Sequence, residues 1–228
     1  MNFWKIIYDL CMGFGVTLKL FALTLVIALP LGLIFALFSM SKFKPLAYLM
    51  KTFIWIIRGT PLLLQCVVVT FIPSVLLKIP NKDFANMLGI DTMADLQIAF
   101  VLIAFALNYA AYFAEIFRGG IMSIPVGQHE ASKVLGLTKM QTFFHVVLPQ
   151  VIKRVLLPVS NEVITLVKDT SLANIIAVSE LFRAAKNEAS RTASIEPLFV
   201  AGLFYLLMNG VVTLVFSRLT QHYEYYKD

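Results

Sequence analysis

Apolar residues fall in long runs along this chain, separated by short polar segments. A helix needs about 20 mostly apolar residues to cross a bilayer. Residues 16–38 meet that length with one charged side chain, Lys19. Similar runs cover 53–77, broken in its first part, then 96–117, 155–178 with several polar residues, and 197–216. The pattern predicts an all-α membrane protein with five transmembrane helices. No internal repeat or long linker interrupts it, so residues 1–228 read as a single transmembrane domain. Residues 1–19 lack a small-residue cleavage site of the A-x-A type, which predicts a retained first helix.

Composition agrees. The chain is 59% hydrophobic and 14% charged, with a mean hydropathy of +0.82, against about 45–50% and about 25% for a soluble domain. Two cysteines exclude a disulfide scaffold, and Cys11 and Cys66, both in apolar surroundings, read as packing residues. Disorder, collagen and a soluble enzyme are excluded on the same grounds. The net charge of +6 reflects basic residues on cytoplasmic loops and not a nucleic-acid partner. Lys42, Lys44, Lys51, Arg118, Lys133, Lys139, Lys153, Arg154, Arg218 and Lys227 fall on one side, ten in all. Lys5, Lys19, Lys78, Lys82, Arg183, Lys186 and Arg191 fall on the other, seven in all. The positive-inside rule then places the N-terminus outside and the C-terminus in the cytoplasm.

The segment 119–150 is too long for a simple connector and reads as two short helices. Pro125-Val126-Gly127 breaks the chain. Residues 128–135 suit a helix with small Ala131 and Ser132 on it, and Gly136 suits a left-handed stop. Thr138 and Gln141 have the spacing of a capping box. On residue types alone the segment is equally an amphipathic connector. There is no G-x-x-x-x-G-K-[ST] stretch to cradle phosphate. His129-Glu130 opens like a zinc-protease motif, but Lys133 stands where the second histidine belongs. His145 and His222 have no partner spacing. No catalytic or metal-ligating set is predicted.

Glu130-Ala131-Ser132, Gly136 four residues later, and Val146-x-Leu148-Pro149 resemble the EAA loop of bacterial ATP-binding cassette importer permeases. Ser132 replaces that family's usual second alanine, and Val146 its isoleucine. The stretches 58–65, 115–121 and 168–172 resemble the polar amino acid permeases of the same superfamily. The resemblance implies a type I importer permease fold in the bacterial inner membrane. It implies a polar amino acid as substrate, delivered by an extracellular or lipid-anchored binding protein. It implies a separate ATPase subunit dimer that holds ATP and magnesium, with no cofactor on this chain. It also implies a second permease copy, identical or homologous. Glu130, Ala131, Ser132, Gly136, Leu148 and Pro149 are then the ATPase-coupling residues. The alternative is a stand-alone secondary amino acid transporter or channel.

Charges inside hydrocarbon cost at least about 2.5–3.5 kcal/mol and normally face a cavity or one another. Arg58, Glu162, Lys168 and Asp169 fall inside the predicted spans, with Glu115 and Arg118 nearer one edge. In Arg58-Gly59-Thr60-Pro61, Gly59 loosens the helix, Thr60 suits a cap and Pro61 suits the next first turn. In Lys168-Asp169-Thr170-Ser171, Asp169 or Thr170 suits a cap for a new helix over 171–181. Broken helices of this kind form substrate sites in transporters. A zwitterionic amino acid needs both signs of partner. Arg58, Gly59, Thr60, Glu162, Lys168, Asp169, Thr170 and Ser171 are therefore the candidate substrate site. Snorkelling of Arg58, with Lys168 paired to Asp169 or Glu162, accounts for the same charges. Asn108, Asn161 and Asn209 are explained by hydrogen bonding between helices.

Overall fold

The computed structural model describes residues 3–223 and is built of helices. In chain order they are α1 (Phe3–Ser39), α2 (Lys44–Arg58), α3 (Leu62–Val75), α4 (Asn81–Met87), α5 (Met93–Met122), α6 (Val126–Val134) and α7 (Lys139–Gln141). A π-helical stretch (Thr142–Val147) leads into α8 (Leu148–Asp169). A 3₁₀ stretch (Thr170–Ile176), α9 (Leu181–Thr192) and α10 (Glu196–Tyr223) complete the chain. Lys227, counted in the charge balance, lies outside the described residues.

Four helical runs are long and apolar enough to cross a bilayer alone: Trp4–Ser39, Met93–Met122, Lys139–Ile176 and Glu196–Tyr223. The fifth span is the pair α2–α3, bent by 109° at its break. The helices outrun the apolar stretches. α1 begins at Phe3 and not at 16, so Lys5 as well as Lys19 sits within it, and α2 begins at Lys44 and not at 53. Hydropathy marks the greasy part of a helix, whereas the backbone hydrogen bonds continue into polar flanks.

α1 and α5 form the central pair. Leu10, Thr17, Leu20, Thr24, Ala28 and Ala36 make one buried stripe along α1, at the three-to-four-residue spacing of a helix face. From Leu20 onward it packs with Val101, Phe105, Ala110, Phe113 and Ala114 of α5, all buried, whereas Leu10 packs with Leu181, Ala185 and Ala201 of α9 and α10. The axes approach closely beside Gly32 and Ala36 of α1 and Ala110 and Ala114 of α5, which are small. A Cβ on Gly32 would lie 2.7 Å from Phe113 Cβ and 3.0 Å from Ala110 O.

A polar knot joins the start of α1 to α9 and α10. Glu180 is fully buried and caps α9, accepting from Phe182 N at 2.7 Å and Arg183 N at 2.8 Å. Tyr205 Oη donates to it at 3.0 Å. Burial pushes the Glu180 carboxyl above the usual carboxylate range, against the pull of these hydrogen bonds. Leu181 N donates to Thr17 Oγ1 at 3.1 Å.

Candidate functional site

The α2–α3 bend opens a cavity. α2 ends at Arg58, and its last carbonyls lose their helical partners there. Gln65, one turn into α3, replaces them: its Nε2 donates to Ile57 O at 2.8 Å and to Thr60 Oγ1 at 2.9 Å. Irregular backbone in a membrane is tolerated where such partners exist. Thr60 does not cap α3 as expected. Its hydroxyl turns back to Ile56 O at 3.0 Å, and Pro61 occupies the cap position without a side-chain hydrogen bond. Gln65 Oε1 accepts from Asn108 of α5 at 3.1 Å, the interhelical role expected of Asn108. Asn209 differs, since its buried Oδ1 has no partner among the described residues.

The second expected break also takes another form. α8 runs through Asp169, and the chain then tightens into the 3₁₀ stretch without a side-chain cap. Thr170 Oγ1 donates to Val167 O at 2.6 Å and Ser171 Oγ to Lys168 O at 2.7 Å. Both hydroxyls return three residues back, so they compete with the α-helical pattern instead of opening a new helix. Ala177, at φ +70°, ends the stretch before α9.

The cavity, about 460 Å³, is lined by Arg58, Thr60, Asn108, Tyr109, Glu162 and Asp169, among others. Gly59 also lines it. Glu162, Thr165 and Asp169 share one face of α8. Lys168 does not line it. Successive helix residues turn by about 100°, which carries Lys168 off the face that Glu162, Thr165 and Asp169 share. Lys168 is exposed and makes no ion pair with Asp169 or Glu162. Thr170 is buried, and neither it nor Ser171 lines the cavity.

A second cavity of about 550 Å³ adjoins the first, with Arg58, Tyr112 and Glu162 lining both. Its wall includes Glu115, Ser123 and Arg154. Arg58 does not stand free as a snorkelling residue would. Its Nη1 lies 3.8 Å from Glu115 Oε2, and its guanidinium stands 5.1 Å from the centroid of the Tyr112 ring. Glu115 is gripped by Arg118 through bonds of 2.7 and 3.1 Å. Tyr109 Oη donates to Asp169 at 2.7 Å. Glu162 has no hydrogen bond or ion pair among the described residues. Sequence reasoning passed over Tyr109, Tyr112 and Thr165. The polar spacing Asn108, Tyr112, Glu115 along one side of an apolar helix was the available signal.

The segment after α5 is an exposed elbow. α6 presents Glu130 and Ala131 to solvent, and Glu130 bonds to nothing among the described residues. Ser132, unlike Ala131 beside it, faces inward and is buried, with its hydroxyl on Gln128 O at 2.7 Å. Gly136 takes the left-handed conformation, φ +73°, in open space. The Thr138–Gln141 capping box forms. The second short helix is not separate, because the run from Lys139 continues through Leu148 and Pro149 to Ile176. Gln150 Nε2 donates to Gln128 Oε1 at 3.2 Å, and Arg154 donates to Ser123 O and, at 2.9 Å, to Ser123 Oγ. These bonds fix the elbow to α8.

The family model for the binding-protein-dependent transport system inner membrane component matches residues 28–225. The chain belongs to this family. As an inner membrane component of a transport system it is a transporter subunit, and the resemblance seen in the EAA-like loop is borne out. It is 35% identical to the L-cystine transport system permease of Bacillus subtilis (strain 168), over 97% of this chain and 89% of that protein. It is 32% identical to the arginine ABC transporter permease of Escherichia coli (strain K12), over 93% of each. Among solved structures, an amino acid ABC transporter crystallised with histidines superposes with a TM-score of 0.78. That match covers 97% of this chain and 99% of the other, at 29% identity. The all-α type I importer permease fold is therefore the fold of this chain.

Proposed function

We propose that this chain is the transmembrane permease subunit of an ATP-binding cassette importer for a polar amino acid. The observation that carries the proposal is the cavity at the α2–α3 bend, where Arg58, Glu162 and Asp169 meet inside otherwise apolar spans. Arg58, with Gly59 and Thr60, takes the α-carboxylate, and the acidic side chains of α8 take the ammonium group. Thr170 and Ser171 set the turn that holds Asp169 in place. The similarity to permeases named for cystine and arginine supports an amino acid as cargo.

ATP and magnesium reside on a separate ATPase subunit dimer. The elbow at Glu130, Ala131 and Gly136 enters a cleft on that dimer, and Leu148 and Pro149 carry its motion into α8. Closing of the ATPase dimer then produces alternating access. The exposed Asn161 and Lys168 on α8 do not suit lipid, since polar groups in spans face a partner or a cavity. A second permease copy, identical or homologous, covers that flank. An extracellular or lipid-anchored binding protein delivers the amino acid, and the charge balance supports an outside N-terminus and a cytoplasmic C-terminus.

The test is reconstitution in liposomes with the ATPase subunit and the binding protein. Uptake of labelled amino acid is expected only with ATP on the ATPase side and binding protein on the other. Uptake without the ATPase subunit would refute the proposal in favour of a secondary transporter.

A further inference from the structure

We infer that the cavity at the α2–α3 bend selects amino acids that carry a net positive charge. Glu162 and Asp169 are its two specificity-determining carboxylates, and Tyr109 positions Asp169. The inference rests on the reading of this cavity as the amino acid site.

Three observations lead to it. The first is the balance of fixed charges. Arg58 and Arg118 flank a single carboxylate, Glu115, so that trio carries one net positive charge. Glu162 is unpartnered among the described residues, and Asp169 accepts only from an uncharged phenol. Among the described residues the charged side chains that line the cavity are Arg58, Glu162 and Asp169, two carboxylates against one guanidinium. A cationic amino acid brings the balance to zero. A zwitterion leaves one carboxylate uncompensated away from water, and an anionic amino acid leaves two.

The second is spacing. Glu162 and Asp169 stand two turns apart on the same face of α8, about 10 Å along the axis. A basic amino acid whose two cationic groups each add a charge-assisted hydrogen bond of about 2.8 Å spans a separation of that order. An α-ammonium and the cationic end of a basic side chain fit that interval.

The third is order along the cavity. Arg58 and Glu162 line both cavities, whereas Asp169 lines only the one at the bend. The α-carboxylate therefore sits at Arg58, the α-ammonium at Glu162 and the side-chain cation at Asp169. Lys168 lies off the cavity wall and makes no ion pair with either carboxylate.

Binding of labelled L-arginine, L-cystine, L-glutamine and L-glutamate to the purified permease–ATPase complex tests this. The binding protein is left out, so its own selectivity does not enter. Arginine is expected to bind at least about tenfold more tightly than the other three. Asp169→Asn should weaken arginine about tenfold or more while leaving glutamine little changed. Glu162→Gln, at an unpartnered and half-buried position, should fold normally and weaken every amino acid that binds. Equal or tighter binding of glutamine, cystine or glutamate by the unaltered complex overturns the charge selectivity and leaves the amino acid reading standing. An equal fall for arginine and glutamine in Asp169→Asn overturns the role given to Asp169. Binding of none of the four overturns the amino acid site itself.

Discussion

Tyr109 donates its phenolic hydrogen to Asp169 Oδ2 at 2.7 Å, joining the middle of α5 to the last residue of α8 across 60 positions of sequence. Tyr109 is almost fully buried, so Tyr109→Phe keeps the shape and deletes only the donor. A hydrogen bond to a charged group contributes about 1.5–3 kcal/mol. A double-mutant cycle of Tyr109→Phe with Asp169→Asn, read by thermal unfolding of the purified complex, should give a coupling of that order. Strict additivity would mean that the contact contributes nothing.

Gly136 occupies a left-handed conformation with open space where a side chain would sit. The obstacle to substitution is therefore backbone strain, about 1–2 kcal/mol for an ordinary residue. Gly136→Val should abolish substrate-stimulated ATP hydrolysis without unfolding the spans. Gly136→Asn should retain much of it, because asparagine tolerates this conformation. Equal loss in both variants would point to lost contact with the ATPase and not to the turn.

Gly32 permits the α1–α5 crossing. Gly32→Leu forces a Cβ against Phe113 Cβ and Ala110 O, and overpacking of this kind costs about 1–3 kcal/mol. Gly202→Ala on α10 meets open space and should leave the melting temperature unchanged. Comparing the melting temperatures of the two variants in detergent checks the crossing directly.

Burial holds the folded-state pKa of Glu180 above the ordinary value of 4.5. Between the two values the folded chain holds more protons than the unfolded chain, so this group's contribution to stability falls as pH rises. Glu180→Gln lacks that dependence. The melting temperature of Glu180→Gln minus that of the unaltered protein should therefore grow as pH is raised above about 4.5. A difference independent of pH would show that Glu180 titrates normally.

The proposed orientation is open to labelling. In a background lacking Cys11 and Cys66, Lys186→Cys on α9 should react with an impermeant reagent on intact cells. Lys133→Cys on α6 should react only after permeabilisation. The reverse pattern would invert the topology.

The apolar runs were legible because the membrane demands them, and Gly136 and the capping box were legible because their signals are local. Arg58, Glu162 and Asp169 stood out as charges in apolar surroundings. Tyr109 did not, since a tyrosine in a span is unremarked until its partner 60 residues away is known. Lys168 lies off the cavity wall because adjacency in sequence is not adjacency on a helix. Thr60 and Thr170 are of a type that suits a cap, yet each hydroxyl bonds backward to a carbonyl of the preceding turn. A residue's type does not decide between those two uses.

From Lys139 to Ile176 the chain is helical without a gap, which locks the elbow and the two carboxylates in angular phase. Each residue inserted near Val159 would turn everything beyond it by about 100° relative to the capping box. One added residue would swing Glu162 and Asp169 off the cavity wall while leaving Gly136 and Gln141 as they are. Seven would restore the angle to within about 20° but carry both carboxylates about 10 Å along the axis. The helix behaves as a keyed shaft between the elbow and the cavity, and no change in its length is silent.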